Sequence, residues 1–297
     1  MLDKYYQKPV LVLPTAILFT FSVIMSCSIV TFYRSFVTQY DTVWWVPCTL
    51  TLIILHSIIN YIQFTVTHEA SHGNISRYKL VNTLFGMVSA LWLSPIGYYM
   101  GFRYIHLEHH AYTNDPDRDP DMYASLNGIG GPKFLFLRWC TIDIHYIMKY
   151  SKYVLYNFKV KEITYYVAYA AFLIGLWKII YTTDYIMEYI LFSVISTRIS
   201  LFLLSFAFDF LPHYPHEITR QLDKYKTTSY ISISDMFRPL LSLMFMYQNF
   251  HISHHLNPSY PFYLYGTVWF NNKETLIKDH NISIKKFIAF PEEEKIL

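Results

Sequence analysis

The sequence predicts an all-α integral membrane protein: four transmembrane helices, one re-entrant or interfacial segment, and a cytoplasmic helical cap. Three observations predict it. Of 297 residues, 53% are hydrophobic and only 15% charged, too apolar for an ordinary soluble domain of this size. The apolar residues gather in four runs that reach or approach the ~20 residues needed to cross a ~30 Å hydrocarbon core. Lysine and arginine, in turn, are nearly confined to alternate connections between those runs.

The first run, residues 9–32, is longer than the roughly 7 to 15 apolar residues of a cleaved signal peptide and is expected to stay as a helix. The second covers residues 43–66. An apolar stretch at 80–102 follows, interrupted by Gly86, Pro95, Gly97 and Gly101. Such residues break or bend helices, so this stretch is expected to dip and return. The third and fourth crossings are residues 164–181 and 186–211. Four near-uninterrupted runs argue against buried helices of a large soluble protein, and the 28 tyrosines suit the headgroup level of a bilayer.

If the chain starts in the cytoplasm, the inside segments are 1–8, 67–163 and 212–297, and they hold 21 of the 24 Lys and Arg. The outside loops hold only Arg34, while Lys178 and Arg198 fall within spans. By the positive-inside rule both termini are cytoplasmic. No repeat, low-complexity tract or flexible linker divides the chain, so residues 1–297 read as one domain. Cys27, Cys48 and Cys140 have no metal-ligand or redox spacing. A formal charge of +3 is too small to indicate a nucleic-acid partner.

Eight of the 13 histidines occupy three five-residue windows: His68 and His72 in HEASH; His106, His109 and His110 in HLEHH; and His251, His254 and His255 in HISHH. Chance would put about 0.7 there. Spacings of three and four place such side chains on one helix face, and neutral imidazole is a common ligand for zinc, copper, iron and nickel. Each window lies beside an apolar segment on the side read as cytoplasmic. A ninth candidate, His213, sits at the end of the fourth crossing, four residues after Asp209, which could orient it, bind metal or act through water. Eight or nine imidazoles exceed the ligands of one zinc and suit two ions with open positions. The cap is therefore expected to carry a dinuclear site. His216 and the mid-span His56 fit structural roles at least as well, although an ionisable group inside a membrane also suits a substrate channel.

Directly after the second window, TNDPDRDPD brings four aspartates close, of which Asp119 and Asp121 are the expected outer partners of the ligands. Glu69 and Glu108 are further candidates. The bland alternative for the run is a solvated turn, since Asp-Pro steps favour turns.

These windows, their order and their placement resemble the membrane fatty acid desaturase superfamily of histidine-box di-iron oxygenases. Within it, HLEHHAYTNDPDRDPD (106–121), FDFLPHYPH (208–216) and QNFHISHHLNPSYPFYLY (248–265) are most similar to cyanobacterial-type β-carotene hydroxylases, over about residues 45–266. The resemblance implies two ferrous (Fe2+) ions held by His68, His72, His106, His109, His110, His251, His254 and His255, with His213 as an additional ligand and no catalytic side chain beyond these. It implies O2 as co-substrate and a carotenoid ring or a fatty-acyl lipid as substrate, the product being a hydroxyl group or a double bond. The His-Pro-Gly-Gly motif of a fused cytochrome b5 is absent from the sequence, which implies electrons from a separate ferredoxin or cytochrome b5. Arg220, Lys224, Lys226, Lys285 and Lys286 are expected to face such an acidic donor or anionic membrane lipids.

Two rivals of other classes remain. His68-Glu69-Ala70-Ser71-His72 reads as the HExxH of a zinc protease with Glu69 as base, which would leave two histidine clusters idle. A metal transporter would instead need ligands along a path through the bilayer.

Overall fold

In hydrocarbon every backbone N–H and C=O must be satisfied within its own segment, so long apolar stretches fold as helices. The computed structural model describes residues 8–39 and 41–286. The first crossing is α1 (Leu13–Ser35), whose early Pro14 occupies a position where a missing N–H costs nothing; a 3-10 turn carries it on to Gln39. The second, α2 (Thr42–Ser71), starts at Asp41, whose carboxylate accepts from the Trp44 N–H at 3.4 Å. At 30 residues α2 outruns the expected 43–66. The HEASH window is therefore its last turn rather than a segment beyond it.

The expected dipping segment is two helices, α3 (Lys79–Leu93) and α4 (Tyr99–Tyr112). The return is sharp because Gly97 sits against the end of α3: a Cβ there would lie 1.9 Å from the Ala90 carbonyl oxygen. Gly86 corrects an expectation, since α3 runs through it unbroken. Its missing side chain makes room for the ring of Tyr99, which a Cβ would approach to 2.2 Å.

Then come α5 (Leu135–Cys140), α6 (Ile142–Tyr156), α7 (Val160–Thr182) and the fourth crossing, α8 (Ile186–Phe210), within which residues 189–195 and 205–210 are wound as π-helix. After α8 follow α9 (Arg238–Met244), α10 (His251–Leu256) and α11 (Tyr265–His280). One feature is outside the all-α expectation: β1 (Tyr230–Ser232) pairs in parallel with β2 (Ile284–Lys286).

α2 is central, packed by α1, α3 and α8. The main apolar core joins Tyr61 and Phe64 of α2 to Phe208 of α8 and to Phe250, Tyr265 and Trp269 beside and on α11. By contrast α7 has no buried residue, as suits a helix whose surroundings are lipid. Both ends of the described chain meet one face. Lys8 Nζ donates to the carbonyls of His72 (3.2 Å) and Gly73 (3.0 Å), and Lys285 Nζ donates to those of Leu211 (3.2 Å) and Tyr214. That is the face where α2 and α8 end.

Of the basic residues expected to meet a partner, Lys224, Lys226 and Lys286 are exposed and Arg220 is half-buried. Lys285 is the exception, its ammonium being used on the chain past α8, where burial pushes it down to about 8.

Candidate metal centre

Four segments deliver imidazoles to that face. His68 is in the last turn of α2 and His72 caps it; His106, His109 and His110 lie on α4; His213 follows α8 by three residues; His251, His254 and His255 lie on α10. They form two sets. His68, His72, His106, His110 and His254 make one and His109, His213, His251 and His255 the other, with the ligand atoms of each set within 4.8 Å of one another. In the first, the Nε2 atoms of His68 and His254 are 3.0 Å apart, those of His72 and His106 2.8 Å, and those of His254 and His110 2.8 Å. In the second, the His109–His255, His251–His213 and His255–His251 pairs are at 3.3, 3.1 and 3.1 Å.

The division follows from helix geometry. Residues four apart point the same way, so His68 and His72, His106 and His110, and His251 and His255 each share a set. Adjacent residues are turned about 100°. His109 and His110, and again His254 and His255, therefore serve different sets.

Why do these nitrogens face one another? Nδ1–H groups point outward: His68 donates to Glu69 Oε1 (3.3 Å), His109 to Asp119 Oδ1 (2.9 Å), His213 to the Thr227 carbonyl (3.2 Å), His251 to Gln248 Oε1 (2.6 Å) and His254 to Tyr265 Oη (2.9 Å). An imidazole that spends its proton outward presents a bare lone pair at Nε2. Buried acceptors crowded together need a partner, and a cation at the middle of each set is a partner they fit. One tetrahedral zinc does not use nine nitrogens.

The aspartate run divides. Asp119 accepts from His109 and from the backbone N–H groups of Asn114 (2.6 Å) and Asp121 (2.9 Å), while Asp121 Oδ2 lies 3.1 Å from His109 Nδ1 and accepts from the Tyr146 hydroxyl. The other two correct the expectation of four aspartates at the site: Asp115 folds back onto the N–H groups of Asp117 and Arg118 in a surface turn, and Asp117 is exposed. Glu69 is fully buried and accepts from Tyr265 Oη (3.1 Å), the Phe262 N–H (3.2 Å) and His68. Burying a carboxylate costs several kcal/mol; three charge-assisted hydrogen bonds at about 1.5–3 kcal/mol each offset that. So engaged, Glu69 is not placed to activate water as a protease base. Glu108 is half-buried on α4, outside both sets.

Of the three roles open to Asp209, the structure rules out one. Asp209 does not orient His213, whose Nδ1–H goes to Thr227; instead its carbonyl accepts from His216 Nε2 at 3.2 Å and its side chain lines a cavity with His109 and Asp121. Because α8 ends in a π-wound stretch, a spacing of four there no longer means one face. His216 thereby stays outside the sets. His56 Nδ1 meets Ser196 Oγ (3.1 Å) across α2 and α8 and borders a separate cleft; His145 stacks on Tyr123 and His280 on Tyr225.

Burial, then the neighbouring imidazoles, push His72, His106, His110, His213, His251, His254 and His255 well below the usual imidazole range. They are neutral, as ligands must be. For His109, burial pulls the same way, but Asp121 and Asp119 outweigh it and hold the ring up to about 9.

One cavity is lined by His68, His106 and His251, by Phe64, Phe102 and Phe208, and by Ser94 and Asp143. Arg198 forks onto Asp143, Nη1 to Oδ1 at 2.9 Å and Nη2 to Oδ2 at 2.5 Å, and Ser94 Oγ donates to the same carboxylate at 2.7 Å. Sequence reasoning noted Arg198 only as a charge inside a span. It also missed Tyr265, which has no spacing signal, and Gln248, whose position three before His251 could have revealed it.

Among the described residues, four membrane-length helices and nine imidazoles gathered at one face define a histidine-rich membrane protein with two candidate metal sites. Residues 43–287 match the family model described as fatty acid desaturase. The chain belongs to the fatty acid desaturase family. Over 58 residues it is 34% identical to a Delta 8-(E)-sphingolipid desaturase of Lachancea kluyveri, a match covering 19% of this chain and 10% of that protein. Neither match singles out the carotenoid hydroxylases.

Proposed function

We propose that this protein uses O2 and two iron ions to remove hydrogen from an unactivated C–H bond of a long lipid chain, and that a fatty-acyl lipid fits better than a carotenoid ring. The observation that carries it is the pair of inward-facing nitrogen sets, five and four, at the head of an apolar cavity. Bound there, iron supplies the O2 chemistry. The chain's own residues do the rest. Glu69, Tyr265, Gln248, Asp119 and Asp121 hold the ligand rings in one tautomer and orientation. Phe64, Phe102 and Phe208 exclude water and seat the substrate. Their rings touch one another, with centroids 5.6 Å (Phe64–Phe102) and 4.7 Å (Phe64–Phe208) apart. They line the cavity with apolar surface, which suits a hydrocarbon chain. Partial identity to a sphingolipid desaturase supports the same choice.

The distribution of positive charge supports a cytoplasmic site and cytoplasmic termini, with electrons from a separate ferredoxin or cytochrome b5 meeting the exposed Lys224, Lys226 and Lys286. Purified protein should carry two irons per chain; one zinc with proteolytic activity overturns the proposal. Expression in cells that hold both lipids and β-carotene should give new acyl double bonds or hydroxyls. Hydroxylated pigment with unchanged acyl chains would assign the carotenoid ring instead.

A further inference from the structure

Tyr146 joins the wall of the cavity to the second nitrogen set. Its ring lies 6.4 Å from Phe102, and its hydroxyl donates to Asp121, the carboxylate beside His109 Nδ1. One helical turn on along α6, Tyr150 is buried and donates to Glu162 Oε2 at 3.0 Å. Its ring is 5.6 Å from Tyr104 and 6.3 Å from Tyr153, and those two stack at 4.1 Å, half-buried at the surface. Tyr146, Tyr150 and Tyr153 follow one another at spacings of four and three, on one face of α6.

A belt of tyrosines at the headgroup level accounts for surface rings. It does not account for two interior phenols, each with its own carboxylate acceptor. A phenol that loses an electron becomes a strong acid, so in a low-dielectric interior it is readily oxidised only where a base already holds its proton. Both interior members meet that condition, and the outer pair can be reduced from outside.

We propose that Tyr146, Tyr150, Tyr104 and Tyr153 form a relay that drains an oxidising equivalent from the metal pair to the surface when no substrate C–H bond is within reach, an inference that rests on the function proposed above. A one-electron oxidant of the metal–oxygen class takes an electron from Tyr146, whose hydroxyl proton passes to Asp121. Tyr150 then gives an electron to Tyr146 and its proton to Glu162, while Asp121 returns the first proton. The Tyr104–Tyr153 stack then gives an electron to Tyr150 and releases its proton to water at the surface, while Glu162 returns the second proton. There an external thiol supplies one electron and one proton, and the thiyl radicals pair as disulfide. Per step the oxidant is reduced by one electron and the thiol oxidised by one.

The test uses full-length, iron-loaded protein in lipid nanodiscs, treated with hydrogen peroxide without substrate and freeze-quenched for electron paramagnetic resonance, with iron counted in every sample. Wild type should give a tyrosyl signal that added thiol quenches. Tyr146→Phe should lower its yield by an order of magnitude at equal iron content, with peroxide damage moving to Phe102 and the ligand histidines in peptide mass spectra. Tyr153→Phe, away from the cavity, should keep the radical but slow its quenching several-fold. An unchanged yield and spectrum in Tyr146→Phe, or no tyrosyl signal from wild type holding two irons, overturns the relay and leaves the function standing. Protein that takes up no iron overturns the function itself.

Discussion

At the scale of single residues, Tyr265 ties the first nitrogen set together. Its hydroxyl accepts from His254 and donates to Glu69, which in turn accepts from His68. Two ligands separated by 186 positions thus share one buried carboxylate. Tyr265→Phe leaves a buried donor and a buried acceptor short, at about 1–3 kcal/mol. Metal affinity should fall about 10- to 100-fold, as for other outer partners of metal-binding histidines. Iron retained during graded chelator dialysis measures this, and retention equal to wild type would deny the tie. His254→Ala should be more severe, since that ring neighbours both His68 and His110; loss of one iron per chain with the other kept is the expected count. Eight of the nine ring positions were legible in the sequence because spacing on a helix is a direct statement about direction, and His213 from its place just past the fourth crossing. Their outer partners were legible only where they lie close along the chain, as Asp119 does; Tyr265 reaches His68 and Glu69 by tertiary folding alone.

At the scale of elements, the turn between α3 and α4 decides whether HEASH and HLEHH can meet. Gly97→Ala would drive a Cβ into the Ala90 carbonyl, an overpacking that costs about 1–3 kcal/mol or more. A lowered melting temperature in detergent and poor iron loading are expected. Gly175 on α7 is the control, because a Cβ there meets nothing within 4 Å: Gly175→Ala should be neutral or stabilise by up to about 1 kcal/mol. Equal melting of the two variants would show that the turn carries no such demand. The sequence announced a return at 80–102 through Pro95 and Gly97. Gly86 misled, since glycine marks a close approach of neighbours as readily as a break. The end of α8 misled as well, because a π-wound stretch has no simple sequence signature.

For the molecule as a whole, four crossings were plain from apolar run length, whereas the parallel strand pair was hidden, three residues per strand being too short to stand out. Seven buried imidazoles of the two sets, held neutral below the ordinary value of 6.5, dictate how the metal-free protein responds to acid. Below that value the unfolded chain takes up protons the folded one refuses, so their contribution is complete above about 6.5 and lost as pH falls. His109 runs the other way: raised to about 9, its contribution is complete below 6.5 and lost as pH rises through 9. With seven groups against one, chelated protein should melt at markedly lower temperature near pH ~5 than near pH ~7, with a weaker decline toward pH ~9.5. A flat acid limb in calorimetry would contradict the buried neutral rings.

The allotment of rings along the chain also sets a timetable for synthesis. Four of the five nitrogens of the first set have left the ribosome once residue 110 has emerged, whereas the second set then owns a single ring, His109, until His213 follows. A nascent chain halted between the two crossings α7 and α8 already offers a partial nest for one ion, and only the last segment, bringing His251, His254 and His255, closes both. On the function proposed above, cofactor insertion would be a late and two-stage event, and a truncated product would sequester iron without becoming able to use it.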